Sequence, residues 1–254
     1  MKPTPWVLGL LSLSGILPSP LLAGTATRLA DFEGVEEPEL RYLVKTGKFV
    51  YDDYVNIRDA GEHTVRMTLR YHAGDWWDSD RDKQDTSRQR AEVKGIGPHQ
   101  KNGDTFEYGT TWRTSPGFRP AERFCHVFQL KATDGDDGAP LVVLSILAEP
   151  GKAEVRYWSG AAKGFSKVRE VAWQPDTWQT IRIRVTTSPK EDGAIVVSVN
   201  GDEFQGLKGI SVYRPDATDY RPKWGLYRGI DKDKPMPLGD DWVEHKDAMA
   251  QKLR

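Results

Sequence analysis

The chain has 254 residues, enough for one large all-β domain or two small ones. Lysine and arginine total 36 against 37 aspartates and glutamates, a formal net charge of −1, which argues against a general nucleic-acid binder because that affinity rests on a basic surface neutralising phosphates. The single cysteine, Cys125, excludes both an intramolecular disulfide and a cysteine-based zinc site.

At the start, Lys2, a mostly apolar run over residues 6–17 and the small residue Ala23 read as a secretory signal peptide covering residues 1–23, with cleavage after Ala23 and Ala26 as the second candidate. The run is shorter than the roughly 20 residues a spanning helix needs. Residues 24–254 are therefore expected as one exported domain without a membrane anchor, either periplasmic or outside the cell. From Val65 to His72, apolar and polar residues alternate as in a half-buried strand. The polar stretch 75–85, headed by Trp76 and Trp77, reads as a long solvated loop or the rim of a cleft. Further strands are predicted over 90–94, 105–113, 124–131, 141–147, 153–158, 167–173, 178–185 and 223–227. Residues 194–199 lead into Asn200-Gly201 and then Glu203-Phe204, the strongest hairpin signal in the chain, since both central positions tolerate positive φ. Only 244–253 suggests a helix. About a dozen strands separated by Gly, Pro and Asp turns suit an all-β two-sheet sandwich, a β-jelly roll.

The stretch from Tyr220 to Arg228 carries the most chemistry. As a strand it puts Lys223, Gly225 and Tyr227 on one face and Trp224 and Leu226 on the other. A cation, a bare backbone position and a phenol then share a surface suited to an anionic ligand beside a proton donor; the alternative is an ordinary strand with a solvated face. Arg90 and Glu92 share a face of their own strand, where the carboxylate either orients the guanidinium or forms a surface pair of little worth. Cys125 and His126 are adjacent and point to opposite faces, so they cannot form a nucleophilic dyad. Gln129 and Lys131 share a face with Val127, which His126 joins only if a bulge intervenes. Asp134-Gly135-Asp136-Asp137-Gly138 is either a calcium loop or, more simply, a polar hairpin turn. Arg182 and Arg184 either extend a basic groove or line a solvated face, and Trp112 and Trp158 either stack on sugars or pack.

Taken together, the segments 69–75, 88–93, 126–131 and 222–228 resemble, in order and spacing, the jelly-roll polysaccharide lyases of the glucuronan lyase, alginate lyase and heparin lyase I-like type, a branch of the concanavalin A-like superfamily. Such enzymes carry Arg-x-Glu-Leu, Gln-x-His and Lys-x-Gly-x-Tyr strands on a concave sheet. The resemblance implies β-elimination at a uronic acid, with Arg90 and Gln129 neutralising the substrate carboxylate, Tyr227 as acid and His126 or His72 as base. Lys223, Lys131, His72 and Glu92 would bind or orient substrate. Lys131 stands where alginate lyases place histidine, and Arg221 where they place the first tyrosine. The implied partner is an acidic polysaccharide bound by a monomer, without nucleic acid, membrane or required cofactor and with at most a structural Ca2+. A sugar-binding module without catalysis is the competing reading. A glycoside hydrolase would need two carboxylates facing across a cleft, and only the isolated Glu92 and Glu107 stand in for them.

Overall fold

A computed structural model describes residues 31–33, 55–71, 88–94, 98–229, 231 and 239–253. The signal-peptide segment, His72 and the 75–85 loop lie outside these residues. Among these described residues there are fifteen strands: β1 (Asp31–Glu33), β2 (Val55–Gly61), β3 (Thr64–Tyr71), β4 (Arg88–Lys94), β5 (Gln100–Lys101), β6 (Thr105–Thr114), β7 (Phe124–Ala132) and β8 (Val142–Ile146). They continue with β9 (Lys152–Ser159), β10 (Gly164–Ala172), β11 (Gln179–Thr186), β12 (Ser188–Val199), β13 (Gln205–Val212), β14 (Asp219–Gly229) and β15 (Gly239–Lys252). Each strand predicted from alternation is present, with its ends moved by at most six residues.

Two antiparallel sheets form the jelly roll. One runs β1-β4-β14-β7-β8-β9-β10, with β5 also paired to β14; the other runs β13-β12-β11-β6-β15-β3-β2. Their facing sides make one apolar core, in which Trp224 packs on Phe128 at 4.3 Å between ring centroids and Phe128 on Tyr108 at 5.6 Å. Two buried polar clusters in this core are matched internally. The Gln100 side chain accepts from Tyr108 Oη at 2.8 Å and donates to the Asp104 and Val185 carbonyls at 2.9 Å. Between the sheets, Arg228 of β14 meets Asp241 of β15 at 2.5 Å and donates to Gln89 at 2.9 Å.

At the Asn200-Gly201 turn φ is +51° and +83°, as the hairpin signal requires. The helix suggested for 244–253 does not form. That segment belongs to β15, wedged between β3 and β6, where its backbone bonds on both sides outweigh a weak helical spacing. The kink at Asp247, with φ +51° and a register slip between Lys246 and Met249, is what broke the alternation.

Candidate active site

The face of the β4-β14-β7 strands turned away from the other sheet carries the predicted residues. Antiparallel register sets Tyr227 opposite Arg90 on one side and His126 on the other, and Lys223 opposite Gln129. As the period of two demands, Trp224 and Leu226 lie in the core. Gly225 is needed for a different reason than ligand access: at φ +153°, an added Cβ would come within 2.2 Å of the Ala91 carbonyl oxygen and 2.6 Å of the Glu92 Cα. The glycine lets β14 approach β4.

The parity problem at His126 is solved by a bulge. On β8, His126 pairs with Ser145 and Phe128 with the adjacent Leu144, so one residue of β7 is surplus. Val127 and Phe128 both turn into the core, and Val127 does not share the face of Gln129 and Lys131 as simple alternation expected. His126 thereby joins Gln129 on the outward face, although two residues separate them. A compensating slip on β14 between Trp224 and Tyr227 brings Tyr227 level with His126.

Around Tyr227 the contacts are close. Arg88 Nη1 donates to its hydroxyl oxygen at 3.1 Å, and the Arg90 guanidinium lies over its ring at 4.3 Å. Phe124 meets the same ring edge-on at 4.8 Å, and the His126 ring stands 6.1 Å away. Phe124 also stacks on His126 at 4.9 Å, while Ser145 Oγ holds His126 Nδ1 at 2.7 Å. Burial, and then the nearby Arg156 cation, push the His126 pKa down to about 3, so the imidazole is neutral at ordinary pH and keeps a nitrogen able to accept a proton.

Glu92 sits beneath these groups, wholly buried rather than in a surface pair. It accepts from the Gln129 amide and lies 3.8 Å from Arg90 Nε, so one carboxylate orients both. Lys223 is also buried, at 1% exposure, and thus supplies positive potential from below rather than a solvent-facing arm. Lys131 pairs in register with Arg221 farther along the same face. Among the described residues, Arg88, Arg90, Lys131, Arg221 and Lys223 gather on these strands around Glu92, an arrangement suited to an acidic ligand.

Several expectations are redirected. Arg182, Arg184 and Glu107 lie on the other sheet, where Glu107 binds both arginines at 2.6 and 2.7 Å; they cannot extend this groove, and Glu107 cannot face Glu92 across a cleft. Trp112 is core, whereas Trp158 is partly exposed beside Phe165 at 5.7 Å and beneath Arg214 at 4.3 Å. Cys125 is buried behind His126, its thiol pushed up to about 12 by burial. In the acidic loop, Asp134 accepts from the Thr218 hydroxyl at 2.6 Å and the Thr218 and Asp219 amides, and Asp136 binds Arg214 at 2.6 Å. Those carboxylates close a turn, and among the described residues no cluster of three or more His, Cys, Asp or Glu is placed to hold a metal. Arg88, Phe124 and Ser145 were not singled out by sequence reasoning. Arg88 alone had a readable signal, sharing the parity of Arg90 and Glu92.

Comparison with known proteins follows this geometry. The family model described as "Polysaccharide lyase" matches residues 24–246. Comparison with curated proteins gives no match. Among solved structures, the fold is similar to an endo-β-1,4-glucuronan lyase from the fungus Trichoderma reesei, at 16% identity and TM-score 0.60 over 87% of this chain and 94% of that one. It is likewise similar to an alginate lyase from Corynebacterium sp., at 13% identity and TM-score 0.58 over 89% and 96%. A third similar structure is the alginate lyase PA1167 from Pseudomonas aeruginosa, at 16% identity and TM-score 0.54 over 89% and 99%.

Proposed function

From the premise that the chain belongs to the polysaccharide lyase family, we propose that it cuts a uronic-acid-containing polysaccharide by β-elimination on the β4-β14-β7 face. The proton on C5, alpha to the carboxylate, leaves only when that carboxylate is neutralised and the developing enolate is stabilised. Gln129 and Arg90, both oriented by Glu92, carry this task, and the buried Lys223 adds positive potential. Neutral His126 takes the C5 proton, the C4–O4 bond breaks as the C4–C5 double bond forms, and Tyr227 protonates the departing O4. Because Arg88 donates to the phenol oxygen, the phenol's own proton is left to point at the ligand.

The observation that carries this reading is the β7 bulge, which gathers His126, Gln129, Tyr227 and Arg90 on one face. Tyr227→Phe tests it. Phe keeps the ring under Arg90 and against Phe124, so folding and polymer retention in an affinity gel hold while the ultraviolet absorbance of unsaturated uronate product falls at least about a hundredfold. A Tyr227→Phe protein that still turns over defeats the assignment. Glucuronan, alginate, heparin, hyaluronan and pectate, offered in parallel with and without calcium, name the polymer. Retention without product on all of them would favour a binding module. The pattern of residues 1–23 supports export, to be checked by N-terminal sequencing of the protein recovered outside the cytoplasm.

A further inference from the structure

The outward face of the other sheet is built in an unusual way. Two carboxylates each brace a pair of arginines. Glu244 of β15 accepts from Arg66 Nε and Arg113 Nε, both at 2.7 Å, and Glu107 of β6 accepts from Arg182 and Arg184 at 2.6 and 2.7 Å. The carboxylates are covered while the arginines stay partly exposed, at 22% to 47%. The Glu107 triad therefore presents splinted guanidinium edges and one net positive charge, the form suited to binding a carboxylate, whereas around Glu244 the arginines are balanced by nearby acids.

Aromatic rings lie beside both triads. Arg113 lies over Trp178 at 4.6 Å and over Trp242 at 5.5 Å, Arg66 covers Trp242 at 4.2 Å, and Arg184 covers Phe204 at 3.8 Å. Trp178 is one of two large apolar side chains left exposed among the described residues. It borders a groove of about 740 Å³ shared with Arg66, Arg113 and Glu244, and a second hollow of about 400 Å³ lies by Arg182, Ser198 and Asn200. Thr111 lines the first and Thr180 the second, and their hydroxyls are hydrogen-bonded at 2.9 Å. Acidic groups at the rim are Glu62, paired with Lys246 at 2.9 Å, Asp247, and Asp176, which touches Arg113 at 3.2 Å.

We propose that this face is a second, non-catalytic binding track for the acidic polysaccharide, with Trp178 as its sugar platform and the Arg182–Arg184 pair braced by Glu107 as its carboxylate contact. An indole flanked by fixed hydrogen-bond donors and hydroxyls suits a polyol ring, and the two guanidiniums over buried Glu107 suit an anionic group on it. The track lies on the opposite side of the sandwich from Tyr227, so it holds polymer without touching the reacting bond. The identity of the ligand rests on the lyase reading.

Trp178→Ala and Arg182→Gln test the track; the latter leaves Glu107 held by Arg184. With the polymer that gives product, chosen among glucuronan, alginate and heparin, each variant should raise KM about fivefold while kcat/KM on a tetrasaccharide of the same polymer and the melting temperature stay unchanged. Equal kinetics on polymer for both variants, or losses equal on polymer and tetrasaccharide, overturn the proposal. If the parent protein forms no product from any polymer, the lyase reading fails by itself. The track is then judged by affinity-gel retention of the same polymers: weaker retention of Trp178→Ala supports it and unchanged retention refutes it.

Discussion

Replacing Ser145 by alanine removes the hydroxyl that holds His126 Nδ1 at 2.7 Å, in a place where both residues are buried. A buried nitrogen left without its partner costs about 1–3 kcal/mol, and each kcal/mol moves the melting temperature of a domain this size by about 2–4 °C. A fall of several degrees follows. The catalytic effect is bounded separately. Phe124 still stacks on the imidazole at 4.9 Å, so the ring plane is kept and only the exchange of its two edges is released. Equal occupancy of both edges would halve kcat, and losing an orienting interaction of about 1.4 kcal/mol would cut it about tenfold. Ser145→Ala should thus lower kcat between about twofold and tenfold, with KM unchanged, in the unsaturated-uronate absorbance assay. Ser145→Thr, which keeps a hydroxyl, should recover most of the rate. A Ser145→Ala protein with a lowered melting temperature and full kcat would show that the serine supports the fold and does not position the base.

Acid should weaken the fold through two histidines. Burial lowers the pKa of His126 to about 3 and of His245 to about 4, so between pH 6.5 and 4 the unfolded chain binds more protons and stability falls as pH falls. Each contributes a slope of up to about 1.4 kcal/mol per pH unit; urea midpoints that stay flat from pH 7 to 4.5 would contradict this. Gly225→Ala should cost at least about 3 kcal/mol, because its Cβ meets the β4 backbone, and a variant as stable as the parent in urea would show that β4 and β14 part easily. Asp241→Asn should cost about 3–5 kcal/mol by leaving the fully buried Arg228 guanidinium without its counter-charge. A loss under about 1 kcal/mol in denaturant titration would mean that Gln89 alone suffices.

What could be read ahead of the structure depended on how local its cause was. The inward turn of Trp224 and Leu226 and the outward turn of Lys223 and Tyr227 need only the two-residue period of a strand. Asn200-Gly201 needs only its own φ preferences. The Val127 bulge, by contrast, is a mismatch of length between β7 and β8, and neither segment shows it alone. Ser145 sits in an apolar run and acquires meaning only once His126 stands opposite. Arg182 and Arg184 showed the right alternation, but nothing local said which sheet would receive them. The burial of Glu92 and Lys223 likewise depends on neighbouring strands, which alternation cannot number.

The strand orders have a consequence for the time course of folding. Tyr227 meets Arg88 across 139 positions of chain, and β14 enters between two strands laid down far earlier, as β15 does in the opposite sheet. No hairpin of consecutive strands joins Tyr227 to either Arg90 or His126. Loop closure over such distances must be completed before the contacts repay it, which makes folding slow. The site is therefore complete only when β14 has been inserted between β4 and β7.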